Sequence, residues 1–130
     1  MNTAVQPSTP YEILGGAAPV RRIVDRFYDL MDTDPAYAAL RALHAADLAP
    51  MRASLAGFLD GWLGGPRDWF ASGRCVMSAH SNVKIDRATS AQWTEAMARA
   101  IADAGVEPEL AEKINAAFAN MAGGMARGRE

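Results

Sequence analysis

Three features of the sequence predict an all-α fold. Apolar residues recur at helical spacing in successive stretches, glycine and proline punctuate those stretches, and the only piece with strand-like alternation is the short Val83-Lys84-Ile85. Short connections between such stretches imply helices packed against one another around a single core.

The elements follow in order. Residues 1–10, MNTAVQPSTP, are polar and aperiodic and are expected to form a disordered arm, with the folded domain spanning 11–122 and order starting near Tyr11. Gly15-Gly16 breaks the chain and Pro19 suits a helix start. The helix it opens runs to about Met31 and carries Val20, Val24, Phe27, Tyr28 and Met31 on one face. Asp34-Pro35 interrupts it, and a short helix follows to about Leu43. Asp47 is the expected N-cap of the next helix, in which Leu48, Met51, Leu55, Phe58, Leu59 and Trp62 keep helical spacing until Gly64-Gly65-Pro66. From Pro66 to His80 the pattern weakens to loop plus a short helix, and SNVKID reads as a connection in which Val83 and Ile85 are the apolar points. Two helices close the domain. One spans about Thr89 to Ala104 with Trp93, Met97, Ala100 and Ile101 on a face; the other spans about Pro108 to Met121 with Leu110, Ile114 and Phe118. Residues 123–130 are expected to be a loose tail.

Composition narrows the function. The chain has 130 residues, 50% of them hydrophobic, with 13 basic and 15 acidic side chains and a net charge of −2. One domain of this size with balanced charge speaks against nucleic acid or an anionic membrane as partner. Cys75 is the single cysteine and cannot form an internal disulfide; with two histidines it supplies too few ligands for a structural zinc site. The N-terminus has no basic and apolar leader pattern, and no apolar run is long enough to span a bilayer, so a cytoplasmic location is expected. Phosphate-loop, metalloprotease and serine-hydrolase motifs are missing, and the carboxylates sit where helix capping and solubility account for them.

Taken one at a time, the candidate residues have ordinary explanations. His80 alone reads as a surface or hydrogen-bonded histidine, Tyr28 as a core tyrosine with its hydroxyl at the rim, Trp93 as a core anchor, and Met51 and Leu55 as core. Cys75, beside Val76 and Met77, reads as a small buried hydrophobe. With three Trp, four Phe, three Tyr and seven Met, the chain is either a plain helical bundle or a shell around something flat and apolar. Composition by itself favours the bundle.

The order of landmarks points the other way. LGG, VDRFYDLM, LRALHAADL, FLDGWLGGP, a histidine in VMSAHSNVKID and a tryptophan thirteen residues on in AQWTEAM follow one another over residues 10–121. This succession resembles the truncated haemoglobin family, group II, whose fold is a two-over-two helical sandwich enclosing haem. The resemblance implies haem b (iron protoporphyrin IX) as cofactor, His80 as the proximal iron ligand, and Tyr28, Trp93 and His44 as the distal group that stabilises a bound ligand. It further implies a pocket built from Phe27, Met51, Leu55, Phe58, Leu59, Val76, Met77, Val83, Ile85 and Met97, with Ile114 and Phe118 in the same wall or the core behind it. The chain departs from the family pattern around His80, with Ala79 before it and Ser81-Asn82 after it. Arg74, Lys84 and Arg87 are therefore propionate candidates by proximity in sequence, with a solvated-surface role the equal alternative for each.

The function so implied is reversible binding of dioxygen and other diatomic gases, O2, NO and CO, with nitric oxide or peroxide redox chemistry open. Redox turnover would need an external reductase, and the assembly expected is a monomer or homodimer. A cofactor-free helical interaction module is the alternative from a different class; haem uptake separates the two.

Overall fold

The computed structural model describes residues 9–44, 46–71 and 86–126, with side chains described up to Met121. His80, the pocket candidates Val76, Met77, Val83 and Ile85, the propionate candidates Arg74 and Lys84, and Cys75 lie outside the described residues.

Helix α1 (Pro10–Leu14) opens on Thr9. The Thr9 hydroxyl accepts from the Glu12 amide at 3.1 Å, and the Glu12 carboxylate accepts from the Thr9 amide at 3.0 Å, a reciprocal capping box. α2 (Ala17–Thr33) starts just ahead of Pro19, which sits in the first turn where a missing N–H costs no intrahelical bond. It buries Val20, Ile23, Val24, Phe27, Tyr28, Leu30 and Met31.

The single short helix expected after Pro35 is divided. Asp34 accepts from the Ala36 amide at 2.9 Å and starts a 3-10 turn, Pro35–Tyr37, which leads into one α-helical turn, α3 (Ala38–Arg41). α4 (Ala49–Trp62) has Leu48 in the N-cap position rather than the expected Asp47. Asp47 still satisfies an orphan donor, accepting from the Ala49 amide at 3.0 Å; its carboxylate reaches the first helical N–H, and the next residue, Pro50, has none to offer.

α5 (Asp68–Ala71) is short. α6 (Arg87–Asp103) starts ahead of the expected Thr89, because Thr89 belongs to a second capping box in which Asp86 is the N-cap, with bonds of 2.8 and 3.1 Å. α7 (Pro108–Ala126) continues past Met121 through Gly123-Gly124, into the stretch expected to be loose. The expected stop there rested on propensity alone, and glycine in a helix costs only about 1 kcal/mol.

α2 packs on α4, α6 packs on α7, and α2 crosses to α6, giving two layers of paired helices. No strand occurs among the described residues, and no described helix is long and apolar enough to cross a membrane. The most enclosed side chains are Val20, Val24, Phe27 and Met31 from α2, Leu59 from α4, Met97 and Ile101 from α6, and Tyr37 from the 3-10 turn.

Close backbone approach fixes the C-terminal end of α4. A Cβ on Gly61 would fall 2.7 Å from the Phe70 ring, so the absence of a side chain lets α5 lie against α4. Gly64, at φ +102°, ends the helix where α1 crosses it: a Cβ there would stand 2.7 Å from the Thr9 Cβ, and the Tyr11 amide donates to the Leu63 carbonyl at 2.9 Å.

Candidate functional site

Phe27 is the centre of the site. Its ring has no solvent exposure and is met edge-on by Tyr28, its chain neighbour, at 4.9 Å and by Trp93 of α6 at 5.2 Å. Tyr28 in turn meets the edge of His44 at 5.9 Å, and Trp93 meets Phe118 of α7 at 5.2 Å. The stack of Trp62 on Phe118 at 4.9 Å and of Phe58 on Trp62 at 6.2 Å carries the aromatic wall round to α4. Tyr28, His44 and Trp93, drawn from distant parts of the sequence, are thus brought to one cluster.

The polar tips of that cluster behave differently from their counterparts elsewhere. Among the described residues, three aromatic side chains with a polar hydrogen are buried, namely Tyr28, Tyr37 and Trp69. Tyr37 donates to Glu95 at 2.9 Å and accepts from Arg99 at 3.0 Å, and Trp69 donates to Ser54 at 3.0 Å. Tyr28, only 3% exposed, makes no hydrogen bond among the described residues, and neither does the half-buried Trp93 indole. Buried tyrosines ordinarily find a partner; the Tyr28 hydroxyl has none among the described residues and is not among the fully enclosed atoms left unpartnered.

Electrostatics keep it a donor. Burial pushes the Tyr28 phenol up to about 12, with the Arg52 guanidinium pulling in the opposite direction. Arg52, on α4, lies 5.7 Å from the centre of the Tyr28 ring. It donates to the Asp25 carbonyl and carboxylate, both at 3.1 Å, and to the Asp29 carboxylate at 2.8 Å, pinning α4 to α2 on either side of Tyr28.

His44 is oriented by the backbone. Its Nδ1 is 2.9 Å from the Leu40 carbonyl, and the Leu40 amide donates to Gln92 Oε1 of α6 at 3.1 Å. Of the remaining predicted pocket residues, Phe27, Leu59 and Met97 are sealed by protein at 0–2% exposure and Phe58 is buried. Leu55 packs partly buried against the core, while Met51, one turn earlier on α4, is 38% exposed. Ile114 and Phe118 are buried on α7. Arg87 is exposed in the first turn of α6.

Sequence reasoning did not find Arg52 or Gln92. Asp25 and Asp29, one helical turn apart and flanking Tyr28, mark an acidic edge of α2 that is visible in the sequence. Which cation would meet it depends on how α4 crosses α2, and that is a tertiary fact.

An all-α sandwich of two helix pairs around an aromatic interior is the architecture of the globin class. The chain matches the bacterial-like globin family model over residues 9–127. It is 35% identical to the cold-adapted truncated haemoglobin of the Antarctic marine bacterium Pseudoalteromonas haloplanktis TAC125, with a TM-score of 0.88, covering 92% of this chain and 98% of that one. It is also 35% identical to the group II 2-on-2 haemoglobin of the plant pathogen Agrobacterium tumefaciens, with a TM-score of 0.89 and coverage of 94% and 96%. The haemoglobin of the thermophilic phototrophic bacterium Chloroflexus aurantiacus is 32% identical, with a TM-score of 0.82 and coverage of 92% and 98%. No curated protein matches the chain. The chain belongs to the truncated, two-on-two haemoglobins.

Proposed function

We propose that this protein is a haem-binding globin that reversibly binds dioxygen and other diatomic gases, with haem b as its prosthetic group. Family membership supports the cofactor, and the observation that carries the reading is Tyr28: a phenol 3% exposed, kept protonated by burial, with no hydrogen bond among the described residues. The residues fit the group. A flat apolar ring system needs apolar walls, which Phe58, Leu55 and the exposed Met51 provide on α4, and a few polar groups that converge where the small ligand sits.

When bound, haem would supply an iron centre able to take a small diatomic ligand. His80, on the strength of the family resemblance, would supply the imidazole that holds the iron. Tyr28 and Trp93 would supply hydrogen bonds to the bound gas, with Phe27 packed against both rings and His44 beside Tyr28 completing the polar set. Arg74, Lys84 and Arg87 are the cations available to the propionates. Redox turnover with nitric oxide or peroxide would draw electrons from an external reductase.

The test is the ultraviolet–visible spectrum of the haem-loaded chain, wild type and His80→Ala side by side. A strong Soret band in wild type, with axial coordination lost in the variant, is the expected outcome. A wild-type chain that takes up no haem would overturn the reading.

A further inference from the structure

We propose that Gln92 is a positioning residue for the distal set: through the backbone of Leu40 it locks His44 as the tautomer protonated on Nδ1, which makes His44 a hydrogen-bond acceptor and leaves donation to Tyr28 and Trp93. The functional consequence rests on the gas-binding reading above; the tautomer itself does not.

Leu40 lies in the first turn of α3, where helical amides have no intrahelical acceptor. Tyr37, the N-cap of that turn, contributes no side-chain capping bond. Leu40 is only 3% exposed, so water is a poor substitute, and the acceptor comes from another helix, Gln92 Oε1 at 3.1 Å. That bond, together with the Leu43 amide donating to the Leu40 carbonyl at 3.1 Å, holds the residue whose carbonyl faces His44. A carbonyl oxygen can only accept, so the ring nitrogen 2.9 Å from it, Nδ1, carries the proton. In the neutral imidazole Nε2 then holds a lone pair and accepts.

The arrangement joins two halves of the site. Gln92 is the chain neighbour of Trp93, so one turn of α6 presents a donor directly and orients His44, beside Tyr28, by relay. Arg41 donates to the His44 carbonyl at 3.5 Å and is thereby linked to its backbone rather than to the ring by that bond.

The experiment is nitrogen-15 NMR of histidine-labelled, haem-loaded protein as the carbon monoxide complex, at about pH 8, where a free imidazole is neutral. The chain has two histidines, and a His44→Gln sample assigns the signals. A single net hydrogen bond biases the tautomers by roughly tenfold, so wild-type His44 is expected to be protonated almost wholly on Nδ1. Gln92→Glu keeps an oxygen for the Leu40 amide and should preserve that pattern. Gln92→Leu should shift it towards a mixture of tautomers, and Gln92→Asn, whose amide is one methylene too short, should do the same and serves if the leucine variant fails to fold. Protonation on Nε2 in wild type, or an unshifted pattern in the folded leucine or asparagine variant, overturns the proposal. Failure of the gas-binding reading shows elsewhere, as ligand release indifferent to Tyr28→Phe.

Discussion

Tyr28 and Trp93 meet the same phenylalanine from different helices, and each carries a polar hydrogen that no described residue takes up. A hydrogen bond from such a donor to a charged acceptor is worth about 1.5–3 kcal/mol. Tyr28→Phe is therefore expected to speed dioxygen dissociation on the order of ten- to a hundredfold, with autoxidation rising alongside. Trp93→Phe should act in the same direction, because it removes a donor while keeping an aromatic ring against Phe27. Stopped-flow ligand displacement measures both, and unchanged release and autoxidation in both variants would end the donor assignment. Since burial holds the phenol near 12, the effect of Tyr28 should not vary with pH across the neutral range: the hydroxyl donates throughout.

Elements meet where side chains have been left out. Gly64 closes α4 at φ +102°, and the place its Cβ would take is filled by Thr9, the cap of α1. Gly64→Ala combines an unfavourable backbone conformation with a 2.7 Å contact to the Thr9 Cβ, and a cost of about 1–3 kcal/mol is expected from the backbone alone. Urea denaturation of the loaded protein would show it as a lower midpoint. A midpoint equal to wild type would mean that α1 is free to move aside. Thr9→Ala, which removes the hydroxyl of the capping box, should cost about 1 kcal/mol by the same measurement.

Across the whole molecule, stability follows pH through a few carboxylates with opposite signs. Hydrogen bonds from the Arg99 side chain and the Ala36 amide hold Asp34 below the usual carboxylate range, and the Thr89 amide and hydroxyl do the same for Asp86. Both stabilise the fold above their unfolded pKa, and that contribution fades as pH falls through the lowered values. Asp60 runs the other way. Burial, then the nearby Asp68, raises its pKa, and its Oδ1 is enclosed with no hydrogen-bond partner. Its protonated form suits the fold, so stability is present below the unfolded value and is lost as pH rises through the raised one. Asp60→Asn should accordingly raise the urea midpoint at about pH 7 and leave it near wild type at about pH 3, where the aspartate is already protonated. An equal gain at both, or a loss at pH 7, would contradict this account.

Fold class and the aromatic members of the candidate cluster were legible in the residues because helical spacing is a local signal and the landmarks keep their order along the chain. Val20 to Met31 and Leu48 to Trp62 announce amphipathic helices, and each was found. Boundaries were less legible: Asp86-x-x-Thr89 spells a capping box but its first residue reads equally as loop, and nothing local shows that α7 continues through Gly123-Gly124. Tyr28, His44 and Trp93 stood out by motif, whereas Arg52 and Gln92 did not, since their partners lie on other helices. The sequence by itself determined the helices, the family and the aromatic residues of the site, because those depend on periodicity and residue type. Only the tertiary structure decided that Tyr28 and Trp93 share Phe27, that Arg52 ties α4 to both sides of Tyr28, and that Gln92 of α6 takes the Leu40 amide, because each is a meeting of groups distant in sequence and fixed only by how the helices cross.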